Sequence, residues 1–180
     1  MTSFQSCGED TVSLEKFKAV QITRLIALKQ QLADNARIQE IVDLYLVPKL
    51  QHLRAMDLAG YIFTIYLASR EYAVFEELIP TEEEVEKLIK ETNKLYAFKA
   101  RYMARLMQLR KELKQKYADK TERVEAIVFD ISTKLANLRK YMLSDYLFTV
   151  TLACKEFPEF CQLVPPEDEI KAIFVVHYEE

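Results

Sequence analysis

The chain repeats itself, and this constrains its fold more than any other feature. Lys49–Ile89 aligns with Lys134–Phe174 at a constant spacing of 85 residues, without a gap, and 16 of the 41 pairs are identical. At the centre, "YIFTIYLASREYAVFEELIP" (61–80) is echoed by "YLFTVTLACKEFPEFCQLVP" (146–165). Upstream, "FKAVQITRLIALKQQL" from Phe17 pairs with "FKARYMARLMQLRKEL" from Phe98 at a spacing of 81. The spacing thus grows by four residues between Leu32 and Lys49. Four residues are about one helical turn, so the second copy is expected to carry a helix one turn longer there.

Both copies have helical period. Phe17, Val20, Leu25, Leu28 and Leu32 mark a first helix. Ile38–Arg54 reads as a second, kinked at Pro48, where the other copy has Thr133. Positions 61, 65, 68, 72, 75 and 79 are apolar in both copies and step by four and three, the pattern of a buried seam. Pro158 predicts a break near Tyr72/Phe157, followed by a short helix to Leu78/Leu163. Thr81 and Glu84 form a capping-box signature. No glycine or proline interrupts the chain from there to Asp119, which predicts one long helix over Glu82–Tyr117. The terminal "DEIKAIFVVHYEE" reads as helix, with an extended strand as the alternative.

The fold class expected is therefore all-α: an internally duplicated helical bundle, two units of four to five helices joined by a long central helix. The two glycines among 180 residues agree, because turn-rich β folds and phosphate loops need many more. The divisions are a flexible leader (1–12), repeat 1 (13–89) and repeat 2 (90–180), packed as one pseudo-symmetric domain or standing as two lobes.

No catalytic signature emerges. Gly-x-Ser-x-Gly, His-Glu-x-x-His and glycine-rich phosphate loops are all missing from the sequence. His52 and His177 have no ligand partner at helical spacing. Cys7, Cys154 and Cys161 lack Cys-x-x-Cys spacing, and the latter two face Ser69 and Glu76 in the other copy. The reading is not an enzyme, with no cofactor and no metal. Arg70-Glu71 and Lys155-Glu156 are expected to hold helix ends by ion pairing. The hydroxyls of Tyr61/Tyr146 and Thr64/Thr149 are expected to be buried and bonded to backbone. An apolar ligand between Tyr61, Phe63, Tyr146 and Phe148 is a further alternative.

Charge is lopsided along the expected central helix. Nine Lys or Arg and three acids lie between Lys99 and Arg123, whereas Glu76–Glu91 holds seven acids and two bases. On a single helix this polarity would complement the macrodipole. Lys99, Arg101, Arg105, Arg110, Lys111 and Lys114 are the candidate residues for a partner or for nucleic acid. The net charge of −3 argues against a global pull towards nucleic acid or membrane. The start "MTSFQSCGED" has neither the basic nor the apolar region of a signal peptide, and no apolar run is long enough to span a bilayer. A soluble, intracellular protein, cytoplasmic or nuclear, is expected.

The phrase "RAMDLAGYIFTIYLA" followed by "EVEKLI" resembles the C-terminal helical domain of steroid receptor RNA activator protein, which is shared with the large outer-coat subunit of COPII vesicles. Asp57, Ala59, Ile62 and Val85–Ile89 match its motifs. The chain departs in having no tryptophan or glycine directly before Val85, and Phe63 where the family has histidine. The resemblance implies a protein-interaction module. The functional expectation is a non-catalytic scaffold or adaptor that binds another protein through inter-helical grooves. The alternative is RNA binding on the basic face.

Overall fold

The computed structural model describes the backbone of residues 2–175 and the side chains of residues 13–175. Among these residues every regular element is helical and no strand occurs. The helices are α1 (Thr2–Gln31), α2 (Ala36–Glu40), α3 (Val47–Gln51), α4 (Leu58–Glu71), α5 (Glu82–Leu88), α6 (Lys94–Lys116), α7 (Thr121–Ala136), α8 (Leu143–Glu156) and α9 (Glu167–Ile173). The segment 1–12, set aside as a flexible leader, is helical from Thr2. The end of the chain is helical through α9, and His177 lies outside the described residues.

Elements recur at the spacing of the sequence repeat. α4 and α8 are each 14 residues long and start 85 apart. Each is followed by a six-residue 3₁₀ turn, Ala73–Leu78 and Pro158–Leu163, and then by a seven-residue helix, α5 or α9. The breaks fall at Tyr72 and Phe157, both in extended backbone, where the proline predicted them. α1 ends at Gln31, whose equivalent is Glu112, yet α6 continues to Lys116. The four-residue difference is thus one extra turn on α6.

The kink at Pro48 takes a specific form. Residues 36–51 match α7 in length, but Ile41–Leu46 form a π-helical stretch between α2 and α3. The Val47 N–H donates to the Val42 carbonyl, five residues back. Proline lacks an N–H and its ring crowds the carbonyl four residues before it. Widening the turn relieves that clash, and Thr133 imposes no such demand on α7.

The helix expected over Glu82–Tyr117 is instead a helical hairpin. α5 ends at Leu88, and α6 starts after Asn93, whose side-chain oxygen accepts from the Leu95 N–H at 2.9 Å. Asparagine gains more from capping than from continuing a helix, and the chain reverses without glycine or proline. Ile89, at the turn, is buried.

One apolar cluster runs through both halves. Phe17 meets Tyr61 edge-on at 6.1 Å, and the equivalent pair Phe98–Tyr146 repeats this at 5.8 Å. α4 is central: it packs on the turn at 73–78, on α6 and on α7, and buries eight of its residues. α8 buries five and packs on the turn at 158–163 and on α7. No helix among the described residues is long and apolar enough to cross a membrane.

Candidate docking groove beside the basic helix

The hairpin reversal places the acids of α5 against the bases of α6. Arg105 binds Glu82 through Nε and Nη2, the latter at 2.5 Å, and Arg101 binds Glu86 one turn further along. The uneven charge that would suit one helix dipole therefore serves as an antiparallel ion-pair zipper between two helices.

Four of the six candidate bases are held by carboxylates. Arg101 also donates to Glu169 of α9 at 2.6 Å. Arg105 donates in addition to the Gln162 carbonyl at 3.0 Å and lies over the Tyr102 ring at 4.4 Å. Arg110 is 4% exposed. It pairs with Glu125 of α7 at 2.7 Å and Glu76 at 3.4 Å, donates to the Ser69 hydroxyl of α4 at 3.1 Å, and covers the Tyr66 ring at 5.0 Å. Lys114 pairs with Glu125 at 3.3 Å. Lys99 is half-buried beside the Tyr96 ring, and burial, reinforced by the charge of Arg139, pulls its ammonium below the usual lysine range. Lys111 is exposed.

Between the 73–83 segment and α6 runs a groove of about 910 Å³. Glu76, Glu77, Glu82 and Glu83 line one wall, and Arg105, Lys111 and Lys114, with Glu112 among them, line the other. The half-buried Ile79 and the largely buried Pro80 and Met107 form its floor, and Gln162 contributes to the lining. The structure thus brings Arg105, Arg110, Lys111 and Lys114 to one groove, whereas Lys99 and Arg101 lie outside its lining.

The hydroxyls of the repeated phrase follow two routes. Thr64 and Thr149 donate to backbone carbonyls four residues back, at 2.9 and 3.0 Å. Tyr146 donates to the Leu163 carbonyl at 3.1 Å. Tyr61 instead donates to Gln21 Oε1 at 2.7 Å, and Gln21 Nε2 donates to the Leu78 carbonyl at 3.1 Å. Burial raises both phenols far above the usual tyrosine range. Tyr102, at the position equivalent to Gln21, donates to Glu169 at 2.8 Å, and burial followed by that carboxylate pushes it up to about 12.

The C-terminal ends of α4 and α8 are held alike, though by Arg37 and Arg123 rather than by the neighbouring Arg70 and Lys155. Arg37 grips Glu71 at 2.8 Å and Arg123 grips Glu156 at 2.6 Å, and each guanidinium holds its carboxyl below the usual range. Cys154 and Cys161 are free thiols, and burial, with Cys161 alongside, pushes Cys154 up to about 12. His52 is exposed at the end of α3. Among the described residues no group of three His, Cys, Asp or Glu side chains could hold a metal ion. Tyr61 and Tyr146 are core residues, while Phe148 is 63% exposed, so the four residues considered for an apolar ligand do not line one cavity.

Sequence reasoning missed Gln21, Ser69, Glu125 and Glu169. Only Gln21 left a signal, as a polar residue paired with an aromatic one. No protein-family model matches the chain, no curated protein matches its sequence, and no solved structure matches its fold.

Proposed function

We propose that the chain consists of two copies of one helical unit, stacked through α4 and α6, and that it acts as a non-catalytic adaptor. Its binding site is the groove between the 73–83 segment and α6. The observation that carries this reading is the wall chemistry: four carboxylates on the 73–83 side, and on the α6 side Arg105, Lys111 and Lys114 with a single acid, Glu112, while the half-buried Ile79 adds apolar surface. That arrangement suits a segment of another protein with an apolar stripe flanked by opposite charges. The resemblance of 54–89 to an interaction domain points the same way.

The second reading, RNA on the basic face, rests on Lys99 and Lys111. Retention of Arg101, Arg105, Arg110 and Lys114 by carboxylates favours the protein partner.

Affinity capture from native lysate, read by mass spectrometry, tests the groove. Lys111→Glu and Glu83→Lys each reverse a charge on an exposed wall residue, and Glu122→Lys does so outside it. Proteins retained by the wild type and by Glu122→Lys, but lost from both wall variants, are the expected outcome. A protein set indifferent to the wall charges removes the groove as the site. RNA retention at low salt, abolished by Lys99→Glu with Lys111→Glu, would favour the alternative.

A further inference from the structure

Two helices in the middle of the chain bury more surface than their equivalents at the ends. α1 and α6 share one buried stripe: Phe17, Gln21, Leu25 and Leu28 match Phe98, Tyr102, Leu106 and Leu109. α6 buries a second, Ala100, Met103, Met107 and Arg110. Its equivalents on α1 are Ala19, Ile22, Ile26 and Lys29, of which Ala19 and Ile26 are exposed and the others half-buried.

α4 and α8 show the same asymmetry. Leu58, Tyr61, Ile65 and Ala68 match Leu143, Tyr146, Val150 and Ala153, and all are buried. α4 also buries Ala59, Ile62, Tyr66 and Ser69. On α8 those positions are Ser144, Leu147, Thr151 and Cys154, none of them buried. The two extra stripes meet each other inside the molecule. α4 packs on α6, and Arg110 of one stripe donates to Ser69 of the other. Each molecule therefore has one filled junction and the two less covered halves of a second, in which Ile22, Leu147 and Cys154 pack only partly against the core and Lys29 pairs with Asp43.

Apolar side chains flank both open halves. Phe148 is 63% exposed on α8, where its equivalent Phe63 packs against the core. Phe174 is 50% exposed, and its equivalent Ile89 is buried. At the other end Ile26 is 50% exposed, and its equivalent Met107 is buried.

We infer that the occupant of each open face is a second copy of this chain, bound head to tail, with α8 of one molecule on α1 of the next in the manner of α4 on α6. The inference rests on the two-unit reading proposed above. Such a contact uses different faces on the two partners, so a dimer keeps one free face of each kind and grows with concentration, into a ring where the rotation closes and a filament where it does not. The polar residues Ser144, Thr151 and Lys29 make it weaker than the internal junction, as is usual for terminal repeats.

Sedimentation analysis of the intact protein over a concentration series tests this. The average mass should climb above 21.1 kDa and pass twice that value rather than level off at the dimer. Ile26→Glu and Phe148→Glu, both at exposed sites, should each hold the protein at the monomer mass with unchanged circular dichroism. Mixed in equal amounts, the two variants should form a species of twice the monomer mass and no larger, because one working face remains on each. A wild type that stays monomeric at all concentrations overturns the inference. So does a plateau at the dimer that Ile26→Glu leaves intact. Tyr66→Glu separates this failure from that of the two-unit reading: it should unfold or strongly destabilise the chain if α4–α6 is a junction between units. A fully stable Tyr66→Glu would sink the two-unit reading itself.

Discussion

Gln21 lengthens a hydrogen bond that the other half of the chain makes directly. Tyr146 reaches the Leu163 carbonyl unaided, while Tyr61 reaches the equivalent Leu78 carbonyl through the Gln21 amide. Because Gln21 is buried, its replacement by alanine orphans a phenol and a carbonyl together. Gln21→Ala should lower unfolding stability by about 1–3 kcal/mol, and Tyr146→Phe, which orphans only the Leu163 carbonyl, should cost less, both read from urea titrations. Tyr66 behaves in the opposite way. Its hydroxyl is buried without a hydrogen-bond partner among the described residues, so Tyr66→Phe removes a desolvated group and should leave the urea midpoint unchanged or raised.

At the scale of elements, ion pairs hold the helix ends. Glu71 and Glu156 close α4 and α8 through Arg37 and Arg123, and Lys116 holds Glu159 in the same sense. All three carboxyls titrate below their usual range when folded. The unfolded chain then binds protons more readily than the folded one. Stability is full above the ordinary carboxylate pKa of about 4.3 and is lost as pH falls through the depressed folded values. The Glu71→Gln, Glu156→Gln double variant should flatten that acid limb in urea titrations between pH 5 and 3. The effect is modest, because both pairs are solvent-exposed. The α5–α6 turn depends on a cap, and Asn93→Ala should cost about 1 kcal/mol by the same measurement.

The whole molecule turns on Arg110, which ties α6 to α4, α7 and the turn at 73–78. Arg110→Ala strips Glu125 of its shortest partner in a partly buried site and should destabilise by about 3 kcal/mol, measured by thermal or urea unfolding. Much of this architecture was legible in the sequence. The seam of the repeated phrase as far as Phe75/Phe160, the break at Tyr72/Phe157 and the extra turn of α6 follow from periodicity, one proline and a change of spacing. At Ile79/Val164 the expected step is displaced by one residue, because the 3₁₀ turns bury Leu78 and Leu163 and leave Val164 46% exposed. The α5–α6 hairpin was hidden, because Asn93 is its marker and the charges around it also suit a single helix. The groove was hidden for a related reason. Arg101 and Arg105 read as a free basic face until α5 folds back on them, and Glu125 and Glu169 arrive from elements remote in sequence. Local pattern encodes helices and their ends, whereas the pairing of side chains across elements is set by packing.

The central position of α4 has a consequence during synthesis. Ile62 and Tyr66 are covered by helices that follow them, since α4 packs on α6 and α7. A ribosome that has released only the first half has therefore released an unfinished surface, sealed once residues up to Ala136 emerge. Over that interval the nascent chain presents a bare apolar stripe, the kind of surface that chaperones hold and that drives misassembly between neighbouring chains.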